Sequence, residues 1–600
     1  MEYTFDRFAA EARAAILATG TVRDDQIDLV TPKPNIPADL SLPVFKIAKA
    51  MEKPPQQVAQ DLAIAIELRR DSLIGSVSGT GPFVNMAINL APFAAGVLGE
   101  VERLGERYGH DDGAAGTTVV VDYSAPNIAK RMHVGHIRST IIGQAIVNIL
   151  RANGATVHGD NHLGDWGKQF GVVIAAVMRY GEPAAEGEAA LGEYEELYTR
   201  YASAMKAASE AGDPTLDDEA RAWSLRLEQG DAAARALWQK LIDLTMGVSQ
   251  RLYDRLGVHI DHAYGESFYE AMLPGVIDEA IAKGAAYRDE NGAVVVAELA
   301  KNLPTFLLQR SDGGTLYHTR DVATIEFRVR EFAPDQIIYV VGAPQELHFR
   351  QLFALMKAMG YAIADHCIHI PTGTVFDEQG QALSTRKGNM IYLEKLLDEA
   401  FIRARAVVEA AARDLTDAEK DAVAEVVGVG GVIYNDLYQD PRRNITMDWD
   451  RMLALEGNAA PYIQYMYARC RSILRRAVSE NQGTNAHPDQ GSPSSMVNCQ
   501  LSIVNGDPSL LTHPAEEALI KRLARLPEIV REAGARLAPF VVAEWCYETA
   551  RALSAFYRDC QVLKAETPEL RAARMRLVAA TAQALKNGLA LLSIRVPERM

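Results

Sequence analysis

The sequence predicts an α/β protein in which a parallel sheet is interrupted by a helical insertion, preceded by an α+β segment and followed by an all-α region. Three observations predict this fold class. A strand–turn–helix–strand pattern runs from Thr117 to His158, strand patterns return at 292–296, 336–341 and 367–370, and after about residue 400 the apolar spacing is helical. Strands that alternate with helical patterns are typical of parallel sheets covered by helices.

The strand–turn–helix–strand pattern carries the first candidate site. The β-branched run Thr117–Val121 predicts a buried strand, and a helix begins at residues 133–136, which read HVGH. A helix N-terminus presents unpaired N–H groups and the positive end of the helix dipole, so it favours phosphate. Gly135 lets a nucleotide lie against the backbone, and His133 and His136 can donate to phosphate oxygens. The structural alternative is a pair of capping or core histidines.

The length and the changes of pattern along the chain predict four regions. Six hundred residues are too many for one hydrophobic core. Helical patterns at 5–19 and 55–70 and a strand–turn–strand pattern at 77–89 predict an α+β module, and 181–256 is helical and heavily charged. The predicted regions are 1–112 for the N-terminal α+β domain, 113–400 for the parallel-sheet domain with its insertion at about 181–256, 401–448 for a helical connector and 449–600 for an α-helical domain.

The composition argues against several classes of protein. The net charge of −16 disfavours indiscriminate nucleic-acid binding, although a local basic face is compatible with it. The five cysteines are scattered without a CxxC pair, which indicates reduced thiols and disfavours structural zinc. No apolar run reaches the roughly 18 residues of a membrane span, and Met1-Glu2-Tyr3 does not begin a signal peptide. We expect a cytoplasmic protein with neither a membrane segment nor a resident metal.

A second phosphate-binding element is predicted at 383–389. This LSTRKGN segment follows a predicted turn at 377–380 and combines two hydroxyl groups, two cations and a glycine. Such a loop can neutralise the charge that develops on a departing polyphosphate. Basic loops are more often only solvated, but together with HVGH on a parallel sheet, Ser384, Arg386 and Lys387 become candidates for a phosphate clamp.

These motifs and several others resemble those of one enzyme family. The segment 124–130, SAPNIAK, leads into HVGH, and the other matching segments are 161–171 (NHLGDWGKQFG), 317–321 (YHTRD), 341–345 (VGAPQ), 383–389, 449–476 and 596–600 (VPERM). They resemble the motifs of class I aminoacyl-tRNA synthetases, specifically of arginyl-tRNA synthetases. The resemblance covers about residues 115 to 600 with specific motifs and the first 110 more loosely. It implies a Rossmann-type catalytic domain, a tRNA-contacting N-terminal domain and an α-helical anticodon-binding domain.

The resemblance implies a role for each matching residue. The residues implied to bind arginine are Asp122, Asn127, His133, Tyr317, Asp321 and Gln345. The residues implied to bind ATP are Gly135, His136, His348, Ser384 and Lys387, with His348 near the adenine. Catalytic roles are implied for His133, His136, Lys130, Arg386 and Lys387. Ala382 stands where the family's KMSKS loop carries its first lysine, and Lys130 is the candidate that compensates for it.

The implied pocket agrees with the chemistry of a guanidinium ion, which binds planar anionic or carbonyl groups in a fork. Asp321, one predicted helical turn after Tyr317, supplies the anion, and Gln345 lies at a strand end. Taken alone, Asp321 would be an ordinary acidic residue near a helix start. Its spacing from Tyr317 and Gln345 favours the pocket.

The implied reaction has two steps. The arginine carboxylate attacks the α-phosphate of ATP, which is bound with Mg²⁺, and arginyl-adenylate forms as pyrophosphate leaves. The 2′-hydroxyl of the terminal adenosine of tRNA(Arg) then takes the arginyl group. No side-chain nucleophile is needed, because positioning and charge stabilisation carry the rate. The resemblance also implies that activation requires tRNA and that the enzyme is a monomer.

The candidate RNA surface is the helical C-terminal third. Basic residues outnumber acidic ones in 515–600, against the trend of the whole chain. The candidate contacts are Arg442, Arg443, Tyr462 and Arg469, because arginine beside aromatic rings suits splayed single-stranded bases. The alternative is a set of core tyrosines with a solvated arginine face.

Two other functions remain open at this point. A tRNA-binding or regulatory paralogue without catalysis would carry degenerate motifs, whereas His133, His136, Tyr317, Asp321 and Gln345 are all present. A class I synthetase for another amino acid is disfavoured by the anionic Asp321 and by the absence of zinc-type Cys/His spacing.

Overall fold

The computed structural model describes residues 2–33, 35–383, 390–411, 414–481 and 506–600. Its N-terminal region is the predicted α+β module. The elements are α1 (Thr4–Ala18), β1 (Leu40–Pro43), α2 (Phe45–Met51), α3 (Pro55–Ala65), β2 (Ile74–Thr80), β3 (Phe83–Ile88) and α4 (Leu90–Leu104). The strands form an antiparallel sheet in the order β1-β3-β2, and β2 and β3 are joined by the tight turn that the sequence predicts.

The middle of the chain forms the parallel sheet. In chain order the elements are β4 (Thr118–Asp122), α5 (Val134–Ala152), β5 (Thr156–Asp160), α6 (Lys168–Tyr180), α7 (Gly187–Glu210), α8 (Thr215–Glu228), α9 (Ala232–Leu256), α10 (Leu273–Ala282), β6 (Tyr287–Arg288), β7 (Val294–Val296), β8 (Phe306–Gln309), α11 (Tyr317–Phe332), β9 (Gln336–Gly342), α12 (Glu346–Ala358) and β10 (Cys367–Thr372). The sheet order is β10-β9-β4-β5, and every pairing in it is parallel.

The strand order creates a crevice at the carboxyl ends of the strands. β4 lies between β5 and β9, so the chain leaves β4 toward one side and later returns to its other side. Val120 on β4 is opposite His158 on β5 and Ile337 on β9. In open α/β sheets, ligands bind at the carboxyl ends of the strands where the order reverses in this way. The Rossmann-type fold predicted from the sequence is confirmed.

The helical insertion is also confirmed, and it consists of α7, α8 and α9. It is tied to the sheet domain by Trp238 on α9, whose indole N–H donates to the Asp165 carbonyl oxygen at 2.7 Å. One strand prediction was wrong. Val294–Val296 does not join the parallel sheet but lies in the middle of a separate antiparallel sheet, β6-β7-β8. A three-residue apolar run predicts a buried strand without specifying its partners.

The rest of the chain is mainly helical. Its elements are β11 (Val375–Phe376), α13 (Leu393–Ala411), α14 (Asp417–Leu437), β12 (Ile445–Thr446), α15 (Trp449–Met452), α16 (Ala460–Asn481), α17 (Pro514–Ala524), α18 (Leu526–Arg536), α19 (Pro539–Asp559) and α20 (Pro568–Leu591). β12 corrects the expectation that strands end near residue 400. It pairs in parallel with β11, and two residues are too few to produce a readable pattern.

The N-terminal module, the sheet domain and the C-terminal helical region contact one another. A buried ion pair joins Arg138 on α5 to Asp436 on α14 at 2.8 Å. Arg531 on α18 donates to Asp6 and Asp111, and Tyr108 donates to the Leu523 carbonyl oxygen at 2.9 Å. The helical region therefore packs against both the sheet domain and the N-terminal module. Within the ranges given above, no helix combines the length and apolarity needed to cross a membrane.

Candidate functional site

The HVGH residues form the N-terminus of α5 as predicted, and both histidines cap it. His133 Nδ1 accepts the Gly135 backbone N–H at 3.1 Å, and His136 Nδ1 accepts the His133 backbone N–H at 3.1 Å. The two ring centroids lie 4.0 Å apart. Because each Nδ1 is an acceptor, the neutral rings carry their protons on Nε2. Both histidines therefore cap the helix, and each Nε2–H can still donate to a ligand.

Both histidines are held in the neutral state. Burial first, and then the neighbouring His133, lowers the pKa of His136 to about 3. Burial also lowers the pKa of His133. We call residues 133–136, at the N-terminus of α5, the helix mouth. Near neutral pH the helix mouth offers hydrogen-bond donors and the positive end of the helix dipole to a phosphate, without a charged imidazole.

Gly135 is needed for a reason beyond ligand access. A Cβ built on Gly135 would lie 2.9 Å from His133 Nδ1 and Cε1. Any larger side chain would therefore displace the His133 ring from its capping position. The glycine fixes the geometry of the histidine as well as the space beside the backbone.

The segment between β4 and α5 is strained. Ser124, Ala125 and Ala129 have positive φ values of 75°, 52° and 63°, a region that side chains other than glycine rarely occupy. Contacts from distant elements hold them there. Ser124 Oγ lies 2.8 Å from the Tyr253 hydroxyl, and the Ala129 backbone N–H donates to Thr245 Oγ1 at 3.0 Å. Strain of this kind is typical of functional loops whose surroundings fix one conformation.

Asp122, at the carboxyl end of β4, takes part in a buried ion cluster. Arg328 on α11 donates to Asp122 Oδ2 at 2.6 Å and to Asp160 Oδ2 at 2.8 Å. Burial, together with the charge of Asp160, raises the pKa of Asp122 despite the opposing effect of Arg328. When both carboxylates are ionised, two negative charges face one guanidinium. The base of the crevice then has an excess negative charge, which suits a cationic substrate.

Sequence reasoning missed Arg328. The guanidinium is fully buried, and its Nη1 has no hydrogen-bond partner among the described residues. Arg328 lies seven residues after Asp321, on the same face of α11. A charged residue at the buried spacing of an amphipathic helix is the signal that points to such a pair.

The predicted guanidinium-binding residues lie at the start of α11. Tyr317 is its first residue and is 70% exposed, and Asp321 follows one turn later. Asp321 Oδ2 accepts a hydrogen bond from His348 Nε2 at 2.5 Å, and the Asp321 side chain is 26% exposed. Burial alone would raise the pKa of Asp321, but the His348 hydrogen bond and nearby histidines outweigh it, so this pKa lies below its usual value. The carboxylate is therefore an anion that is partly open to the crevice.

His348 lies beside the predicted arginine pocket. Its ring bonds to Asp321 and packs against His318, with the ring centroids 4.3 Å apart. Burial, reinforced by His348, lowers the pKa of His318 to about 4. The contact of His348 with the adenine stays a prediction, because the geometry places the imidazole on Asp321.

The other predicted contacts surround the same crevice. Gln345 ends the short turn Ala343–Gln345 directly after β9, and its side chain is exposed. Asn127 is exposed and forms a bridge with Gly164 of the 161–171 motif. His162 of that motif lies close enough to both carboxylates to oppose the rise in the pKa of Asp122 and to help lower the pKa of Asp321. The carboxyl ends of the strands thus bring together groups that are distant in sequence.

The predicted phosphate clamp is described only in part. Ser384, Arg386 and Lys387 lie outside the described residues. The Lys130 ammonium group lies 5.4 Å from the centroid of the Tyr198 ring on α7. The residues that follow the clamp pair with the HVGH segment, since Val134 N–H donates to the Ile391 oxygen and Leu393 N–H to the Met132 oxygen, both at 2.9 Å.

The predicted RNA-contacting residues have different environments. Arg442 and Arg443 are exposed, and the Arg443 carbonyl oxygen accepts a hydrogen bond from Arg138. The Arg469 guanidinium lies 3.8 Å from the centroid of the Tyr557 ring. The Tyr462 ring packs edge-on against Tyr547, as a packing residue does. The parts of the chain that are described contain no group of three or more His, Cys, Asp or Glu that could hold a metal ion.

Comparisons with known proteins agree along the whole chain. The family models that match are "tRNA synthetases class I (R), catalytic domain" at 104–449, "DALR anticodon binding domain" at 463–600 and "Arginyl tRNA synthetase N terminal domain" at 6–88. The chain is 60% identical to the arginine–tRNA ligase of Chloroflexus aurantiacus over 600 residues, which is 100% of each chain. It is 37% identical to that of Clostridium perfringens over 571 residues, 95% of each chain.

Solved structures share the fold. The arginyl-tRNA synthetase of Thermus thermophilus matches with a TM-score of 0.76 at 24% identity, covering 98% of this chain and 100% of that one. The enzyme of Plasmodium falciparum matches with a TM-score of 0.74 at 22% identity, covering 98% of this chain and 99% of that one.

Proposed function

The chain belongs to the arginyl-tRNA synthetases, and from that premise we propose that it activates arginine in the crevice at the carboxyl ends of β4 and β9. The protein is an arginine–tRNA ligase, which uses ATP to charge tRNA with arginine for protein synthesis. The observation that carries the proposed location is the partly open Asp321 carboxylate, which shares the crevice with the neutral histidines of the helix mouth.

The arginine substrate has two cationic groups and one carboxylate, and the crevice has a complement for each. We assign the guanidinium to Asp321 and Tyr317, because a carboxylate and a hydroxyl can accept its planar donors. Gln345 and Asp122 are assigned to further substrate nitrogens, in keeping with the excess negative charge around Arg328. Asn127 and His133 are assigned to the carboxylate, since both lie between β4 and the start of α5.

ATP, which enters with its Mg²⁺ as the substrate complex, is assigned to the helix mouth. Gly135 and the Nε2–H group of His136 face the phosphates, and His348 and Ser384 complete the proposed ATP contacts. The arginine carboxylate oxygen forms a bond to the α-phosphorus as the bond from that phosphorus to the bridging oxygen breaks. Lys130, Arg386 and Lys387 are assigned to the charge on the departing pyrophosphate.

The second step transfers arginine to RNA. The 2′-hydroxyl of the terminal adenosine of tRNA(Arg) attacks the arginyl carbonyl carbon, its proton is lost, and AMP leaves. We propose Arg442, Arg443, Tyr462 and Arg469 as RNA contacts. Arg469 lies within the range of the anticodon-binding family model, 463–600, whereas Arg442 and Arg443 lie near the end of the catalytic-domain range, 104–449. Arginine activation in the absence of tRNA is not expected.

Three further proposals concern the protein as a whole. A cytoplasmic location is supported by the free thiols of Cys367, Cys470, Cys546 and Cys560. A monomer is what the family resemblance implies. We propose domain boundaries near residues 112, 400 and 448. The family models cover 6–88, 104–449 and 463–600, so the proposed boundary near 400 divides the range of the catalytic-domain model.

The residue assignments are tested by separating the two substrates kinetically. ATP–pyrophosphate exchange with tRNA present is measured for Tyr317→Phe and Gln345→Ala and for His136→Ala. Losing one hydrogen bond to a charged substrate should raise the KM for arginine by about 10- to 100-fold in the first two variants, with the KM for ATP nearly unchanged. His136→Ala should show the opposite pattern. A higher KM for ATP in the Tyr317 and Gln345 variants, with arginine unaffected, would overturn the assignments.

A further inference from the structure

The helical insertion touches the catalytic segment through one carboxylate. Glu195 on α7 accepts hydrogen bonds from the backbone N–H of Arg131 at 2.5 Å and from Arg131 Nε at 2.8 Å. The two side chains are only 18% and 21% exposed. Arg131 lies between Lys130 and the HVGH residues, so the insertion holds the chain at the entrance to the helix mouth.

The same carboxylate reaches a third segment. The Tyr392 hydroxyl donates to Glu195 Oε2 at 3.3 Å, and the Arg131 guanidinium lies 3.7 Å from the centroid of the Tyr392 ring. His133 and Tyr392 are also partners in an antiparallel bridge. Glu195 therefore connects Arg131 and Tyr392, which are far apart in sequence. Arg131 follows the candidate catalytic residue Lys130, and Tyr392 is the bridge partner of His133.

Two other residues of α7 strengthen this junction. A Cβ on Gly192 would lie 3.3 Å from Arg131 Cζ, so glycine lets the helix approach the guanidinium closely. Tyr198 lies under the Lys130 ammonium group, 5.4 Å from ring centroid to Nζ. Gly192, Glu195 and Tyr198 follow each other at helical spacing, so one face of α7 holds Lys130 and Arg131 together.

We propose that Glu195 is a positioning residue for adenylate formation, which makes the helical insertion part of the catalytic machinery. Its charge neutralises Arg131 and fixes the backbone of 130–133 against Tyr392, so that Lys130 and the start of α5 meet the ATP phosphates in one arrangement. The proposal rests on the proposed function, because it acts through residues assigned there. Without Glu195, the Arg131 cation loses its partner, the segment loses two hydrogen bonds and the Tyr392 hydroxyl loses one.

The test compares Glu195→Ala and Glu195→Gln with a matched control in the same insertion. Glu219 on α8 also accepts from an arginine and a tyrosine, Arg179 at 2.9 Å and Tyr201 at 2.8 Å. Glu219→Gln removes a comparable charge away from the helix mouth and should keep wild-type kinetics. Each protein is assayed by ATP–pyrophosphate exchange with arginine and tRNA, and its melting temperature is measured.

We expect kcat for exchange to fall by about 10- to 100-fold in Glu195→Ala and by less in Glu195→Gln, because small displacements of positioning groups cost this much. The KM for ATP should rise more than the KM for arginine, because His133 is the single assigned arginine contact in the segment that Glu195 holds. Tyr392→Phe, which removes a single hydrogen bond, should show the same pattern more weakly and remains informative if Glu195→Ala does not fold.

Wild-type kcat in folded Glu195→Gln and Tyr392→Phe would overturn the proposal. An equal loss in Glu219→Gln would also overturn it, because the effect would then be general destabilisation of the insertion. Failure of the wild-type protein to catalyse any arginine-dependent exchange would instead contradict the proposed function, so the two failures are distinguishable.

Discussion

Replacing Asp321 by asparagine removes the charge from the proposed guanidinium site while preserving its shape. The asparagine oxygen can still accept the hydrogen bond from His348, but the new NH₂ group then faces a guanidinium that has only donors. The Asp321 side chain is 26% exposed, so solvent replaces the lost interaction only in part. The variant therefore tests arginine recognition with little change in packing.

The magnitude follows from the number of hydrogen bonds. A hydrogen bond to a charged group contributes about 1.5–3 kcal/mol, so the two bonds of a fork contribute about 3–6 kcal/mol. At about 1.36 kcal/mol for each factor of ten, kcat/KM for arginine should fall by about 10²- to 10⁴-fold. The KM for ATP should stay within about twofold, because Asp321 lies on α11 rather than at the helix mouth.

The assay is ATP–pyrophosphate exchange with arginine varied at saturating ATP and tRNA. Asp365→Asn is the matched control, since Asp365 pairs with Lys357 on the surface with side chains 63% and 67% exposed. This control should behave as wild type. A loss of less than about tenfold in kcat/KM for arginine in Asp321→Asn, or an equal increase in the KM for ATP, would refute the reasoning.

The remaining predictions concern a buried ion pair, a buried carboxyl group and the helix mouth. Asp436→Ala leaves the Arg138 guanidinium buried without its carboxylate partner, since the two side chains are only 2% and 1% exposed. The free energy of unfolding in urea should fall by about 3–5 kcal/mol, and a fall of less than about 1 kcal/mol would contradict this. Burial first, and then a hydrogen bond with a neighbouring carboxyl group, raises the pKa of Glu188 from 4.5 to about 8. The folded state therefore binds a proton that the unfolded chain releases, and the stability of the wild-type protein falls as the pH rises from about 4.5 to about 8. Glu188→Gln should match the wild-type Tm near about pH 5 and exceed it near about pH 9. Equal Tm values near about pH 9 would contradict the pKa shift. Gly135→Ala should lower kcat for exchange at least about tenfold, because the new Cβ would lie 2.9 Å from His133 Nδ1, and unchanged kcat would show that the ring position does not matter.

Local patterns predicted the strand–turn–helix–strand unit well. The start of a helix at HVGH depends on neighbouring residues, and α5 begins there, at Val134, as predicted. Val294–Val296 shows where this reasoning stops, because its partners are set by the separate β6-β7-β8 sheet. The short β12 strand was missed because two residues are too few to produce a readable pattern.

At the candidate site, too, local features could be predicted and tertiary contacts could not. The sequence placed Tyr317 and Asp321 on one turn of a helix, where the structure has them. It did not predict that His348 bonds to Asp321, since that contact depends on how α11 and α12 pack. The burial of Arg328 between Asp122 and Asp160 likewise depends on tertiary structure, as does the positive φ of Ser124.

The most direct test of the whole account is ATP–pyrophosphate exchange with each proteinogenic amino acid in turn, with and without total tRNA. The anionic crevice around Asp321 and the family membership predict exchange with arginine alone among the amino acids, and only when tRNA is present. Exchange with arginine in the absence of tRNA would contradict the tRNA requirement while leaving the pocket intact. Exchange with a different amino acid, or none with arginine and tRNA from folded protein, would contradict the account of the site.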